Sequence, residues 1–220
     1  MMALIARIVS WLLLCVGLLL AGFGIYDYYS SQSAQFEAQR EWASRSENER
    51  PVPQQQAPPP EAVPKPEQKS SVPQPYFDPY KPGETVAKLT LPRLDKTLFV
   101  IEGTDQKDLK KGPGHMAGTA LPGVAGNCVI AGHRDTHFRA LENIRKGDEV
   151  ELETKYGKFR YQVRSMHVVS PSNVSSLKPT KDPVLHLITC YPFKYVGHAP
   201  KRMVIEASLE APTEKVAKAD

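Results

Sequence analysis

The sequence predicts a mainly β domain of about 125 residues, a closed barrel or sandwich, carried behind an N-terminal apolar helix. Three observations predict it. Short apolar or alternating runs recur every eight to twelve residues from position 86 onward, with little helix signal between them. No charged residue occurs from Ile8 to Tyr26. Between the two, eleven prolines fall within residues 51–82.

The apolar stretch is rich in Leu and Gly and long enough to cross a hydrocarbon core as one helix. A cleaved signal peptide needs small residues before its cleavage point, and only Gly22-Phe23-Gly24 comes near that pattern. A lipoprotein signal at Cys15 meets Leu14 where a small residue is expected. A retained anchor over residues 1–28, with residues 8–26 in the bilayer, is therefore the expectation. Arg7 is the one charged side chain before the span, which favours an inside amino terminus and an extracytoplasmic remainder.

Residues 29–84 are expected to form a polar stalk and a linker. Residues 31–50 are good helix formers with Phe36 and Trp42 as their large apolar side chains, and Glu41 and Arg45 are spaced to pair. They read as a solvated helix continuing the anchor. The proline-rich run cannot build a core and reads as a polyproline-like spacer. At ~3 Å per residue it would hold the next domain on the order of 100 Å from the bilayer.

The folded part is expected over residues 85–209, followed by a polar tail, 210–220. Residues 86–92 and 97–101 read as strands around a turn at 93–96, and Gly112-Pro113-Gly114 and Leu121-Pro122-Gly123 as turns. Residues 127–131 suit a buried strand that ends at Gly132-His133. Residues 148–154 alternate, turn at 156–158 and return over 159–163, a hairpin with one wet face. Residues 166–169, 184–189 and 202–207 supply three more strands.

Three cysteines without CxxC spacing are too few for a disulfide scaffold. The net charge of +4 is dispersed among acidic residues, so no nucleic-acid partner is indicated. The chemistry gathers in three residues. Cys190 closes a β-run, His133 follows another, and Arg202 opens the last. A thiolate is a competent nucleophile, an imidazole can move its proton and that of an amine, and a guanidinium can hold an oxyanion. Each also has a plainer role: buried cysteine as a small hydrophobe, histidine as structure, arginine as a solvated strand start. A Cys128–Cys190 disulfide in a non-catalytic tethered domain is the alternative reading of the two thiols. His133 and His137 sit four apart, but the β context argues against a helical zinc pair.

Four segments resemble the sortases, membrane-anchored cysteine transpeptidases built on an eight-stranded β-barrel. They are Gly112-Pro113-Gly114-His115, residues 126–136 ending in Gly132-His133-Arg134-Asp135-Thr136, residues 187–193 around Thr189-Cys190-Tyr191-Pro192, and residues 195–202. The last two together with Gly-His-Arg-Asp-Thr look most like class D. The resemblance implies a closed eight-stranded barrel, with His133 as general acid/base, Cys190 as acyl-thioester nucleophile and Arg202 as oxyanion-stabilising arginine. It also implies that Thr189 binds substrate through its backbone or hydroxyl. His115 and Asp135 would have structural or loop roles. The substrates implied are surface proteins bearing an LPxT-like C-terminal sorting signal, and the acceptor an amine such as a cell-wall precursor. No metal or organic cofactor is implied, although some relatives use calcium. His186 stands where the family usually has threonine, which leaves room for a second imidazole near the site. A thiol hydrolase using water is the other enzymatic reading; papain-like enzymes place cysteine before histidine, the reverse of this order. Residues 121–125 (Leu-Pro-Gly-Val-Ala) superficially resemble a sorting signal but lack its threonine and tail, and read as a turn.

Overall fold

The computed structural model describes residues 2–48 and 80–210. Eight strands close into a barrel: β1 (Thr85–Leu91), β2 (Lys96–Glu102), β3 (Gly114–His115), β4 (Gly126–Gly132), β5 (Glu149–Thr154), β6 (Gly157–Val169), β7 (Pro183–Tyr191) and β8 (Lys201–Leu209). Their order around the barrel is β1-β2-β3-β4-β7-β8-β6-β5. Closure leaves no free sheet edge.

Period-two patterning explains which side chains fill it. In β5, Val150, Leu152 and Thr154 are buried while Glu149, Glu151 and Glu153 alternate outward. Those outward glutamates meet Arg160, Lys88 and Lys158 at 3.3–3.5 Å. Such exposed pairs each add only a fraction of a kcal/mol, about 0–1. The interior is set by Leu89, Val100, Ile130, Leu152, Tyr161, Leu185, Leu187 and Ile205, all essentially inaccessible. Each such side chain stabilises the fold by roughly 1.5–3 kcal/mol relative to exposure.

Two of the expected strands, 159–163 and 166–169, are one. β6 runs unbroken through thirteen residues, with an irregularity between Val163 and Ser165 in its pairing with β8. That irregularity interrupts the alternation and makes the sequence look like two segments. The Gly112-Pro113-Gly114 turn leads into β3, which inserts between β2 and β4. A short helix α2 (Gln106–Lys111), absent from the sequence expectation, precedes it.

The buried polar anchor of this side is His115. Its Nδ1 lies 2.7 Å from Glu102 Oε2 and its Nε2 3.1 Å from the Ala120 carbonyl. His115 and Glu102 are both buried. Removing one partner of a buried pair leaves the other uncompensated, so His115→Ala is expected to destabilise the barrel by about 3–5 kcal/mol. Denaturant unfolding of the two proteins checks this; a loss under about 1 kcal/mol, the scale of an exposed pair, would refute the pairing's weight.

A single helix α1 (Met2–Asn48) carries the apolar stretch and continues past it. Arg7–Tyr26 has a mean hydropathy of 2.5, passes the length and composition test for a membrane crossing, and is unburied. Beyond it, the helix is not the solvated stalk expected from its polar composition. Gln35, Ala38, Trp42 and Arg45 share one face that lies on the barrel. Gln35 accepts from the Phe99 N–H at 2.9 Å and donates to the Phe99 and Lys111 carbonyls at 3.3 and 2.6 Å. Ala38 is buried, and the Trp42 ring packs 6.5 Å from that of Phe99. Arg45 reaches both Glu84 and the Thr85 carbonyl, besides its expected partner Glu41 at 3.2 Å. The proline-rich spacer (apart from its last residues) and the tail after residue 210 lie outside the described residues.

Candidate active site

Strand register brings the three sequence-predicted residues to one rim. β4 and β7 are parallel neighbours paired from Gly126↔Pro183 through Gly132↔Thr189. His133 therefore leaves β4 at the level where Cys190 stands on β7, one strand spacing of about 5 Å away. On the other side of β7, Cys190 is directly opposite Arg202 of antiparallel β8. The thiol thus sits on the middle strand, with the imidazole's strand on one side and the guanidinium's on the other. Cys190 is a free cysteine and only partly buried, as are His133 and Arg202.

Local packing fixes the turn that carries His133. The Phe138 N–H donates to the His133 carbonyl at 2.9 Å, and the Phe138 ring is fully buried. That ring comes so close to Gly132 that a Cβ there would lie 2.7 Å from it. Glycine before the histidine is therefore a requirement of packing.

Thr189 and Cys190 point to opposite faces, as alternation demands. Thr189 is buried, and its Oγ1 donates to the Gly132 carbonyl at 2.7 Å. The hydroxyl is committed to strapping β7 to β4 beneath the rim, so the hydroxyl-to-substrate contact implied for it is not what this geometry offers. Arg202 Nη1 donates to the Ala199 and Lys201 carbonyls at 3.2 and 3.0 Å. Its guanidinium lies along the β7–β8 loop.

The disulfide weighed between Cys128 and Cys190 is overturned. Cys128 pairs with Leu185 and faces the barrel interior, five residues along β7 from Cys190 and on the other side of the sheet. At about 3.3 Å per residue that is roughly 16 Å, far beyond the ~7 Å Cα limit of a bridge. Both cysteines are free. Burial pushes the Cys128 thiol up, with Glu102 adding to it, so it stays protonated and inert.

His186 shares the outward face of Cys190 but lies four residues away, about 13 Å along the strand. Its Nδ1 meets Asn127 Oδ1 at 2.6 Å and its Nε2 lies 3.6 Å from Glu206 Oε2. It is not a second imidazole at the rim. Burial holds its pKa below the ordinary 6.5, against an upward pull from Glu206. His137 is likewise held down, chiefly by burial, although a bond to the Lys110 backbone opposes this. As pH falls through about 6.5, the unfolded chain takes up protons that these folded imidazoles resist, so stability is lost on acidification. The melting temperature should fall from about pH 6.5 to 5, and His186→Thr should flatten that slope. An unchanged slope in the variant would remove His186 as a cause.

Among the described residues no group of three or more His, Cys, Asp or Glu side chains is gathered to hold a metal ion. The turn residue Arg134, quoted in the motif but given no role from sequence, makes the largest unforeseen contribution to the rim. Its partners are in the β7–β8 loop.

A closed barrel whose rim sets a thiol between the strands of an imidazole and a guanidinium defines the class of fold that the motifs suggested. Comparison with known proteins agrees. The sortase-domain family model matches residues 89–210. Sortase D of Bacillus subtilis is 40% identical over 130 residues, 57% of this chain and 65% of that protein. A Clostridium perfringens Sortase D5 transpeptidase structure superposes with a TM-score of 0.54 at 28% identity, covering 60% of this chain and 82% of that one. Sortase C1 of Streptococcus agalactiae gives 0.55 at 25%, covering 60% and 70%. The chain belongs to the sortase family. It spans just under two thirds of the length of the Bacillus relative.

Proposed function

We propose that this protein is a membrane-anchored cysteine transpeptidase that cleaves an LPxT-like sorting signal and passes the acyl group to an amine. The observation that carries the reading is the register: Cys190 on β7 stands opposite Arg202 of β8 and level with the end of β4, from which His133 emerges. Family membership and the name of the Clostridium perfringens relative, a transpeptidase, support it.

The steps follow from the side chains. The Cys190 thiol passes its proton to His133, and the sulfur attacks the carbonyl carbon of the signal's threonine, forming a C–S bond and an oxyanion that the Arg202 guanidinium faces. The oxyanion collapses, the scissile C–N bond breaks, and His133 gives its proton to the leaving amine. An acceptor amine then attacks the thioester, yields a proton to His133, and releases the Cys190 thiolate as the new C–N bond forms. Thr189 holds β7 to β4 under the reacting sulfur.

Anchoring uses Arg7–Tyr26 as the span, amino terminus inside, with the barrel extracytoplasmic. Because the same helix docks on β2, the barrel stands close to the bilayer. Gln35 is nine residues past Tyr26, about 14 Å at helical rise. That is far nearer than an extended proline spacer would hold it.

The test is the full chain in detergent micelles with a panel of LPxTA and LPxTG peptides, with and without an amine. Transfer product that grows with amine concentration is expected. Hydrolysis alone, insensitive to amine, would favour the thiol-hydrolase reading, and no cleavage of any peptide would sink both.

A further inference from the structure

The turn after β4 holds an arginine that the chemistry above does not use. Arg134 directly follows His133, and its Nη2 donates to the carbonyls of Tyr195 at 2.7 Å and Gly197 at 3.1 Å. Its guanidinium carbon also lies 5.7 Å from the centroid of the Tyr195 ring, within cation–π range. The loop it grips, residues 192–200, joins the strand of Cys190 to that of Arg202. The same loop holds Arg202 through the Ala199 carbonyl. One arginine beside the imidazole and one opposite the thiol therefore grip a single loop. A screened pair between Lys194 and Glu142 at 3.5 Å adds a weaker tie.

The grip is firm but releasable. The other terminal nitrogen of Arg134, Nη1, is buried with no hydrogen-bond partner among the described residues. A buried donor left unmade penalises the closed arrangement and offsets part of what the two carbonyl bonds contribute. Gly197 presents its carbonyl at φ +94°, a conformation natural to glycine, with open space where a Cβ would stand. Val196, beside it, is fully exposed.

We propose that Arg134 is a positioning residue: it clasps the β7–β8 loop to the His133 turn, and so sets His133, Cys190 and Arg202 in mutual register. The proposal rests on the roles assigned above to those three residues. Lysine is a poor substitute, because one point donor cannot span two carbonyls while stacking on a ring.

The test compares Arg134→Gln, Arg134→Lys, Gly197→Ala and the Arg134→Gln/Gly197→Ala double variant in the full chain. It reads kcat, KM, melting temperature and amide exchange across residues 192–200. Arg134→Gln is expected to lower kcat roughly tenfold to a hundredfold with a smaller change in KM, because the reacting groups are misplaced rather than lost. Exchange at residues 195–197 should quicken while the melting temperature holds. Arg134→Lys should fall between wild type and Arg134→Gln. Gly197→Ala strains the same contact, so the double variant should lose no more than the worse single one. Wild-type kcat in Arg134→Gln, or additive losses in the double variant, would overturn the clasp. Should Arg134→Gln fail to fold, Gly197→Ala decides alone: unchanged kcat and unchanged loop exchange overturn it. Should wild type cleave no peptide, the function fails, and loop exchange in Arg134→Gln still tests the clasp.

Discussion

Cys190→Ala is expected to abolish both cleavage and transfer while leaving the barrel intact. The side chain is at the rim, on the outer face of β7, and contributes nothing to the interior that Leu185 and Leu187 fill. In the proposed mechanism its loss removes the atom that would carry the acyl group, for which neither His133 nor water in the same place can substitute as a covalent carrier. The other thiol of the barrel cannot take over. Cys128 is buried on the opposite face and held protonated by its surroundings. Steady-state peptide cleavage together with a melting curve checks this. Residual turnover at a tenth of wild type or more, roughly, would mean the reaction does not pass through this sulfur.

Arg202→Ala should depress turnover about a hundredfold or more, the usual consequence of removing one donor from a developing oxyanion. The structure adds a condition. Arg202 is hydrogen-bonded to Ala199 and Lys201 of its own loop. Both bonds use Nη1, so other donors of the fork can meet the oxyanion of the proposed mechanism as it forms, a contact made only in the transition state. The loss should therefore appear mainly in kcat. Arg202→Lys keeps the charge but not the planar fork and should recover only part of it. A wild-type rate in Arg202→Ala would remove the guanidinium from the mechanism.

Much of the barrel was legible because its strands obey period two. β5 alternates without exception, and β4 and β7 read as apolar runs because consecutive residues in each are buried on both faces. What hydropathy could not convey was pairing. β4 and β7 are separated in sequence by two strands, and only their parallel register brings His133 level with Cys190. Residue types and their order, with the flanking motifs, pointed to the trio without that geometry. β6 was read as two strands because its irregularity at Val163 and Ser165 disturbs the alternation.

The docked half of α1 was missed for a different reason. Its contacts are a glutamine bonded to strand backbone, one small alanine, one tryptophan and one arginine. Such a face has little hydrophobic signature and looks like a solvated stalk. The disulfide alternative arose from counting cysteines, and the face each one occupies removes it. Arg134 lay in a quoted motif, but its value depends on where the β7–β8 loop folds, which spacing alone does not reveal.

The most direct test of the account is the intact mass of the full chain, quenched in acid after mixing with an LPxTA peptide and no amine. The account predicts an adduct equal to the peptide's acyl portion through its threonine, mapped to Cys190, discharged by added amine and absent from Cys190→Ala. Cleavage with no adduct at any quench time, or an adduct mapped to Cys128, would contradict it.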